Sequence, residues 1–217
     1  MTLTLPEELL LLTIHQEKGT YIGAAADRLK VGLAGALLTQ LALHAKIDVD
    51  KNHRVNVLDA EPSGDDLADG ALALIKESEK ARKVGYWINA FTPKADSYRK
   101  HIIDRLVEKG ILTFDEDHLN WVVPSPYHPE GNASTKYWLK RRLRDIVLAD
   151  LDAGSAEVAF LSLVRAVDLL DLIFVKDERR LASNRINELL VRSAMTNPLF
   201  QSIQEIESTI QVVVEED

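Results

Sequence analysis

Leucines recur every four residues in one early part of the chain, and this is the spacing of side chains along one face of a helix. The recurring positions are Leu29, Leu33, Leu37 and Leu41, and they predict a helix over about 26–45. The same stretch, VGLAGALLTQLAL, contains Gly32 and Gly35. Each glycine costs about 1 kcal/mol relative to alanine in a helix interior. We therefore expect a buried helix whose backbone is approached closely by another helix or by a ligand.

Boundary signals and apolar periodicity predict further helices. Thr4 and Glu7 have the spacing of a capping box, so a helix is predicted to begin after Thr4. The clearest later helix covers 93–109, with Thr92 as its expected cap and Gly110 just past its end. Weaker patterns predict helices over 69–82, 134–150, 156–175, 178–193 and 198–214, and a short helix or loop over 86–91.

Two segments have the alternating apolar and polar pattern of β-hairpins. One covers 47–57, with a turn at 50–53, and the other covers 111–124. Together the elements predict a mainly α protein: a single compact helical domain over 1–217, with a central helical bundle, peripheral amphipathic helices and two short β-hairpins. Because a helix runs directly into each hairpin, a winged-helix nucleic-acid binder is one hypothesis.

Composition and charge narrow the function classes. The chain has 217 residues, no cysteine and a formal net charge of −8, so disulfides and thiolate metal sites are excluded and binding to nucleic acid through the overall charge is disfavoured. The amino terminus lacks the pattern of a signal peptide, and charged residues interrupt each apolar run, which predicts a cytoplasmic protein without a spanning helix. No nucleophile, acid–base pair, phosphate loop or metal-ligand spacing stands out. We therefore expect no enzyme activity, no cofactor and no metal.

Basic residues cluster on two predicted helices. The first cluster comprises Lys94, Arg99, Lys100, Arg105 and Lys109, and the second comprises Lys136, Lys140, Arg141, Arg142 and Arg144. Such clusters are either solvated helix faces or surfaces that bind anions such as lipid headgroups or nucleic acid. Headgroup binding combines cations with an apolar element that inserts into the membrane.

Several stretches in consistent order resemble the Golgi phosphoprotein 3 family: LTLPEELLLL, GLAGALLTQLAL, RLVEKGILT, the dipeptide at 128–129, and AVDLLDLIFVKDERRLASNRINELL. The resemblance covers about residues 2–190 and is closest to a short member of bacterial type. It implies a mainly helical domain that lies peripherally on the cytosolic face of a membrane, which in eukaryotic members is the Golgi. These members bind phosphatidylinositol 4-phosphate through a basic pocket, insert an apolar hairpin and retain glycosyltransferases by their cytoplasmic tails.

The family's headgroup pocket is largely substituted in this sequence. The pocket tryptophan falls on Ala24 or Ala25, and the arginine between the two motif glycines falls on Ala34. Of two further arginines, the first falls on Asp96 and only the second is kept, as Arg99. The resemblance therefore predicts that most affinity for this headgroup is lost, because charge-assisted contacts are worth roughly 1.5–3 kcal/mol each.

The family's apolar hairpin has a closer counterpart here, formed by Leu119, Trp121, Val122 and Val123. These side chains are the candidates for membrane insertion or partner contact, with packing against the core as the other interpretation. The resemblance implies a basic amino-terminal tail in eukaryotic members, and we expect no such tail before the first helix here. The leading hypothesis is a non-enzymatic peripheral membrane adaptor with altered lipid selectivity. The alternatives are a protein-interaction module that self-associates through the 111–124 hairpin, and the nucleic-acid binder.

Overall fold

The computed structural model describes residues 2–14, 25–115, 121–124 and 134–216. The helices are α1 (Leu5–Thr13), α2 (Ala25–Leu43), α3 (Asp66–Lys76), α4 (Val84–Phe91), α5 (Ala95–Glu108), α6 (Thr135–Leu148), α7 (Ser155–Ala166), α8 (Arg179–Thr196) and α9 (Leu199–Glu216). The strands are β1 (Ile47–Val49), β2 (Val55–Val57), β3 (Leu112–Asp115) and β4 (Trp121–Pro124). Short 3-10 turns cover Thr92–Lys94, Leu170–Leu172 and Lys176–Glu178.

Helix α2 is the centre of the fold. Every residue from 31 to 42 is buried, and α1, α3, α4, α5, α7 and α9 all pack against this helix. A Cβ atom on Gly32 would lie 2.8 Å from Leu9 Cδ2 and 3.3 Å from Val167 Cγ1. Close helix packing therefore explains this glycine, and the expectation of a buried helix with close backbone approach is confirmed.

A buried ionic network joins α1 to α5. Glu7 has no exposed surface, and its carboxylate accepts a hydrogen bond from the backbone N–H of Thr4 at 2.8 Å, as the capping-box pattern predicts. Lys109 Nζ donates to the Glu7 carboxylate at 2.6 Å, and Arg105 Nη2 lies 2.9 Å from it. Arg105 also pairs with Asp65, the residue that caps α3. Two of the stretches that carry the family resemblance thus contact each other inside the protein.

Both predicted hairpins are present as two-stranded antiparallel sheets in the described chain. In the first, Ile47 pairs with Val57, and in the second, Leu112 pairs with Pro124. The mainly α architecture with a central helix, surrounding helices and two short hairpins is confirmed. No helix among the described residues combines the length and the apolar character that crossing a bilayer requires.

Three predicted helices have wrong boundaries. Helix α3 covers Asp66–Lys76 rather than 69–82. It starts earlier because Asp65 accepts hydrogen bonds from two backbone N–H groups, and residues 77–83 are not helical. Thr92 does not cap a new helix: its hydroxyl donates to the carbonyl of Ile88 at the end of α4. Helix α7 ends at Ala166 rather than 175, since Asp168 turns the backbone into the left-handed region with φ 52°.

Candidate functional site

Arg99, the cation that the resemblance predicts to be retained from the family pocket, lies on α5 beside an acidic side chain. Arg99 Nη2 is 3.2 Å from Asp96 Oδ1, one turn earlier on the same helix. If Asp96 occupies the position predicted from the family resemblance, it places a negative charge where an arginine is expected. An incoming phosphate would meet the repulsion of this carboxylate, and Arg99 would have to divide its attraction between the two anions.

The other pocket positions contribute no charge. Ala34 lies in the middle of α2 with no exposed surface, and Ala25 is the first residue of that helix. Ala24, the other position for the family tryptophan, lies outside the described residues. Among the pocket positions that the structure describes, Arg99 and Asp96 lie within ion-pair distance of each other. The prediction that headgroup affinity is lost stays a prediction, supported by their pairing and by the burial of Ala34.

The hairpin residues are only partly described. The backbones of Trp121, Val122 and Val123 belong to β4, where Val122 pairs with Phe114 of β3. Leu119 lies outside the described residues. Their contact with a membrane or a partner stays a prediction.

Two of the basic residues on α5 are part of the internal structure. Arg105 and Lys109 bind the buried Glu7 and are themselves largely buried. Lys94 and Lys100 are exposed near the other end of the helix. In the α5 cluster, Arg105 and Lys109 form ion pairs inside the protein, whereas Lys94 and Lys100 are solvated. The cluster therefore does not form one continuous anion-binding face.

The basic residues on α6 surround a cleft of about 390 Å³ lined by Lys136, Tyr137, Lys140, Arg141, Arg144 and Asp145. Arg144 is already paired with Glu178 at 2.7 Å, and Arg141 lies 3.8 Å from Asp145. Among the described residues, no carboxylate lies within ion-pair distance of Lys140. The cleft therefore carries net positive charge on a chain that is negative overall.

Burial and mutual repulsion perturb the lysines of this cleft. Lys136 is buried, and its Nζ donates to the carbonyl oxygens of Leu12, at 2.8 Å, and of Ile14. Burial, together with the charge of Lys140, lowers the pKa of Lys136 to about 8. Burial and the charge of Arg144 also lower the pKa of Lys140. An anion in the cleft would stabilise the charged form of both lysines.

Exposed aromatic rings lie next to these cations. Tyr137 and Trp138 are 50% and 46% exposed, and the Arg141 guanidinium lies 5.4 Å from the centroid of the Trp138 ring. We call Tyr137, Trp138, Lys140 and Arg141 the α6 basic surface. Aromatic rings beside cations are typical of surfaces that rest at the boundary between lipid headgroups and acyl chains.

Arg142, the remaining basic residue of the α6 cluster, has a structural role. Its Nε donates to Glu157 Oε1 at 2.6 Å, and Glu157 in turn accepts from the backbone N–H of Gly154 at the start of α7. Among the described residues, no group of three histidine, cysteine, aspartate or glutamate side chains is placed to hold a metal ion.

Comparison with known proteins gives one family and several relatives. A family model described as Golgi phosphoprotein 3 (GPP34) matches residues 5–206. Vacuolar protein sorting-associated protein 74 of Eremothecium gossypii is 28% identical over 167 residues, which are 68% of this chain and 50% of that protein. The protein of the same name from Schizosaccharomyces pombe is 27% identical over 165 residues, which are 67% of this chain and 48% of that protein. The chain thus spans about half the length of the curated relatives it matches.

Proposed function

The chain belongs to the Golgi phosphoprotein 3 family, and from this premise we propose that it is a non-enzymatic adaptor that binds reversibly to anionic membrane surfaces. Two relatives bear the name of vacuolar protein sorting-associated proteins, which supports a role in the sorting of other proteins. The α6 basic surface is the observation that carries the membrane part of the proposal. It combines exposed aromatic rings with cations whose positive charge is not fully neutralised by neighbouring carboxylates.

The expected binding is modest. Each lysine or arginine near an anionic leaflet contributes about 1 kcal/mol, so Lys140 and Arg141 together contribute about 2 kcal/mol by this rule. Burial of the Trp138 and Tyr137 rings in the interface adds an apolar contribution. Stable anchoring of a peripheral protein takes more than one such signal. The proposed association is therefore reversible and sensitive to salt.

Selectivity for phosphatidylinositol 4-phosphate is not part of this proposal. The proposed attraction is to surface charge, because Arg99 lies beside Asp96 and Ala34 is buried. Vesicles matched in total charge, made with phosphatidylserine or with phosphatidylinositol 4-phosphate, should then bind the protein equally. We also expect Arg99→Ala to leave binding to both vesicles nearly unchanged.

Co-sedimentation with vesicles tests the proposal. The double variant Lys140→Glu, Arg141→Glu should bind anionic vesicles at least tenfold more weakly than the unmodified protein. A matched control is Arg180→Glu, Arg192→Glu, which makes the same change in net charge at exposed positions of α8. This control should retain most of the binding.

Two results would contradict the proposal. Equal losses in both double variants would mean that the overall charge, and not the α6 basic surface, governs binding. Failure of the unmodified protein to bind any anionic vesicle would reject membrane association and favour the protein-interaction alternative.

A further inference from the structure

A second cleft lies away from α6, where the β1–β2 turn, the segment 80–83, the start of α4 and α9 meet. Its volume is about 660 Å³. The residues that line it include Arg54, Lys80, Arg82, Lys83, Tyr86 and Thr209. We call this space the α4 cleft. Pockets for small organic ligands commonly have volumes of about 300–1,000 Å³.

The α4 cleft is strongly cationic. Four of its lining residues are lysine or arginine, and none of its lining residues is aspartate or glutamate. The carboxylate of Glu205 is engaged nearby by His53 Nδ1 at 2.6 Å, and that of Asp50 accepts the backbone N–H of Arg54 at 3.0 Å. Within the described chain, no carboxylate lies within ion-pair distance of Lys80 or Lys83. On a chain with a net charge of −8, this is a local excess of positive charge that an anionic ligand would neutralise.

Backbone pairing fixes the position of these cations. The backbone N–H of Val55 donates to the carbonyl of Arg82 at 2.8 Å, and that of Val84 donates to the carbonyl of His53 at 3.0 Å. Arg54 Nη1 donates to the carbonyl of Ala81 at 2.7 Å. The two cationic segments are thus held together by hydrogen bonds between their own groups. Such preorganisation lowers the entropic cost of binding.

The floor of the cleft offers an aromatic surface and open backbone. Tyr86 is 49% exposed, and the Arg82 guanidinium lies 5.0 Å from the centroid of its ring. A Cβ on the adjacent Gly85 would meet nothing nearer than Thr209 Cγ2 at 3.6 Å. The backbone N–H of Gly85 donates to no described residue. Gly85 has no side chain that would obstruct a ligand. The cations that would bind an anion and the Tyr86 ring that would contact an organic group therefore line the same cleft.

We propose that the α4 cleft binds a phosphomonoester carried on a small organic group. Lys80, Lys83 and Arg54 neutralise the phosphate dianion, and the Tyr86 ring with its stacked Arg82 contacts the organic group. The cleft is much larger than inorganic phosphate requires, so phosphate alone should bind more weakly than the complete ligand. This site is separate from the α6 basic surface, and the inference does not depend on membrane association.

Titration calorimetry on the intact chain tests this inference with three probes. Adenosine 5′-monophosphate represents a free phosphomonoester, glycerophosphoinositol 4-phosphate represents a lipid headgroup, and inorganic phosphate represents the anion alone. We expect saturable binding of at least one organic phosphomonoester, with inorganic phosphate weaker. The stronger of the two organic probes identifies whether the source is a free metabolite or a lipid headgroup.

Matched variants connect the binding to the cleft. Lys80→Ala, Lys83→Ala should weaken the best probe at least tenfold, and both residues are exposed, so the fold should be retained. Lys140→Ala, Arg141→Ala removes the same charge from α6 and should leave the dissociation constant unchanged. Tyr86→Ala should weaken the organic probes more than inorganic phosphate.

Three results would overturn the proposal. The first is absence of saturable binding for all three probes, and the second is equal weakening by the α4-cleft and α6 double variants. The third is binding of a dicarboxylate such as succinate as tightly as the best phosphomonoester, which would reject phosphate as the recognised group. Vesicle binding is measured separately, so failure here leaves the proposed membrane association standing.

Discussion

Gly35 of α2 lies against Ile210 of α9 so closely that a Cβ on Gly35 would be 2.4 Å from Ile210 Cδ1 and 3.1 Å from its Cγ1. Leu163 Cδ1 of α7 would be 3.3 Å from the same Cβ. Ile210 is fully buried, so it has little room to move. The glycine is therefore the residue that lets α7 and α9 approach the central helix.

Gly35→Ala should destabilise the protein by up to about 2 kcal/mol. Overpacking in a core costs roughly 1–3 kcal/mol, and the gain of about 1 kcal/mol in helix propensity offsets part of it. Gly70→Ala on α3 is the matched control, because nothing lies within 4 Å of its added Cβ. The control should be stabilising by about 0.5–1 kcal/mol. Urea unfolding measures both, and stabilisation by Gly35→Ala would contradict the packing explanation.

Helices α2 and α5 end in the same backbone conformation, with alanine after one helix and glycine after the other, so the two residues can be exchanged as a test. Ala45 and Gly110 both have left-handed backbones, with φ of 54° and 67°. In each case the following residue donates its N–H back into the last turn, from Lys46 to Leu41 and from Ile111 to Leu106, both at 2.9 Å. A non-glycine residue in this region carries a penalty of about 1–2 kcal/mol.

Ala45→Gly should therefore raise the free energy of unfolding by about 1 kcal/mol, and Gly110→Ala should lower it by a similar amount. Chemical denaturation at one temperature compares the two variants with the parent. A change of the same sign in both would show that the backbone conformation is not the controlling factor.

The chain's helix signals are predictable where the cause is local. The capping box at Thr4, the end of α5 before Gly110 and the buried α2 all follow from residues within a few positions of one another. The end of α7 does not, because Asp168 occupies a left-handed position that glycine usually marks. Arg28 supports this turn from α2: its Nη1 donates to the Asp168 carbonyl at 2.6 Å, and its Nη2 lies 2.8 Å from the carboxylate.

The candidate sites also divide into features that the sequence predicts and features that depend on contacts between distant segments. The substituted positions Ala34 and Asp96 are readable from the chain, since each is one residue compared with a family motif. The α4 cleft is not, because Arg54 and Lys83 are brought together only by the pairing of the β1–β2 turn with the segment before α4. A run of charged residues at 76–83 gives no signal that its cations line a cleft beside an exposed aromatic ring.

The ion pair between Arg165 of α7 and Glu207 of α9 is buried, with side chains 14% and 4% exposed. Arg165 Nε donates to Glu207 Oε1 at 2.7 Å, and its Nη1 donates to the carbonyl of Ser183 on α8 at 3.2 Å. Burial raises the pKa of Glu207 in spite of the neighbouring arginine. Desolvation therefore opposes much of the attraction within this pair.

Glu207→Ala should destabilise the protein by about 3–5 kcal/mol, because it leaves the Arg165 charge buried without its partner. The double variant Arg165→Met, Glu207→Leu should recover most of this loss, since two apolar side chains replace two desolvated charges. Urea unfolding of both variants at neutral pH gives the comparison. A double variant no more stable than Glu207→Ala would mean that the pair contributes net stability through its charges.

Glu8 on α1 should make stability depend on pH near neutrality. It lines a cavity of about 350 Å³ with Glu157 and Arg142. Burial, followed by the charges of Glu157 and Glu7, raises the pKa of Glu8 from 4.5 to about 8. Arg142 offsets little of this, because its guanidinium is already bound to Glu157 at 2.6 Å.

The sign follows from the direction of this shift. A carboxyl group with a higher pKa in the folded state holds its proton more tightly there, so its contribution to stability is complete below pH 4.5. That contribution is lost as the pH rises towards 8, at a limiting rate of about 1.4 kcal/mol per pH unit. Glu8→Gln removes the titration and should leave the protein more stable than the parent at pH 8, with little difference near pH 4.5.

Urea unfolding at intervals between pH 4.5 and 8 measures this difference, and common pH effects cancel between variant and parent. Glu79→Gln, at an exposed position, is the control for the loss of one carboxylate. If the free energy of unfolding of Glu8→Gln differs from that of the parent by the same amount at every pH in this range, Glu8 ionises in the folded protein at its ordinary pKa. In that case the contact between α1 and α7 would have to tolerate the Glu8 and Glu157 charges side by side.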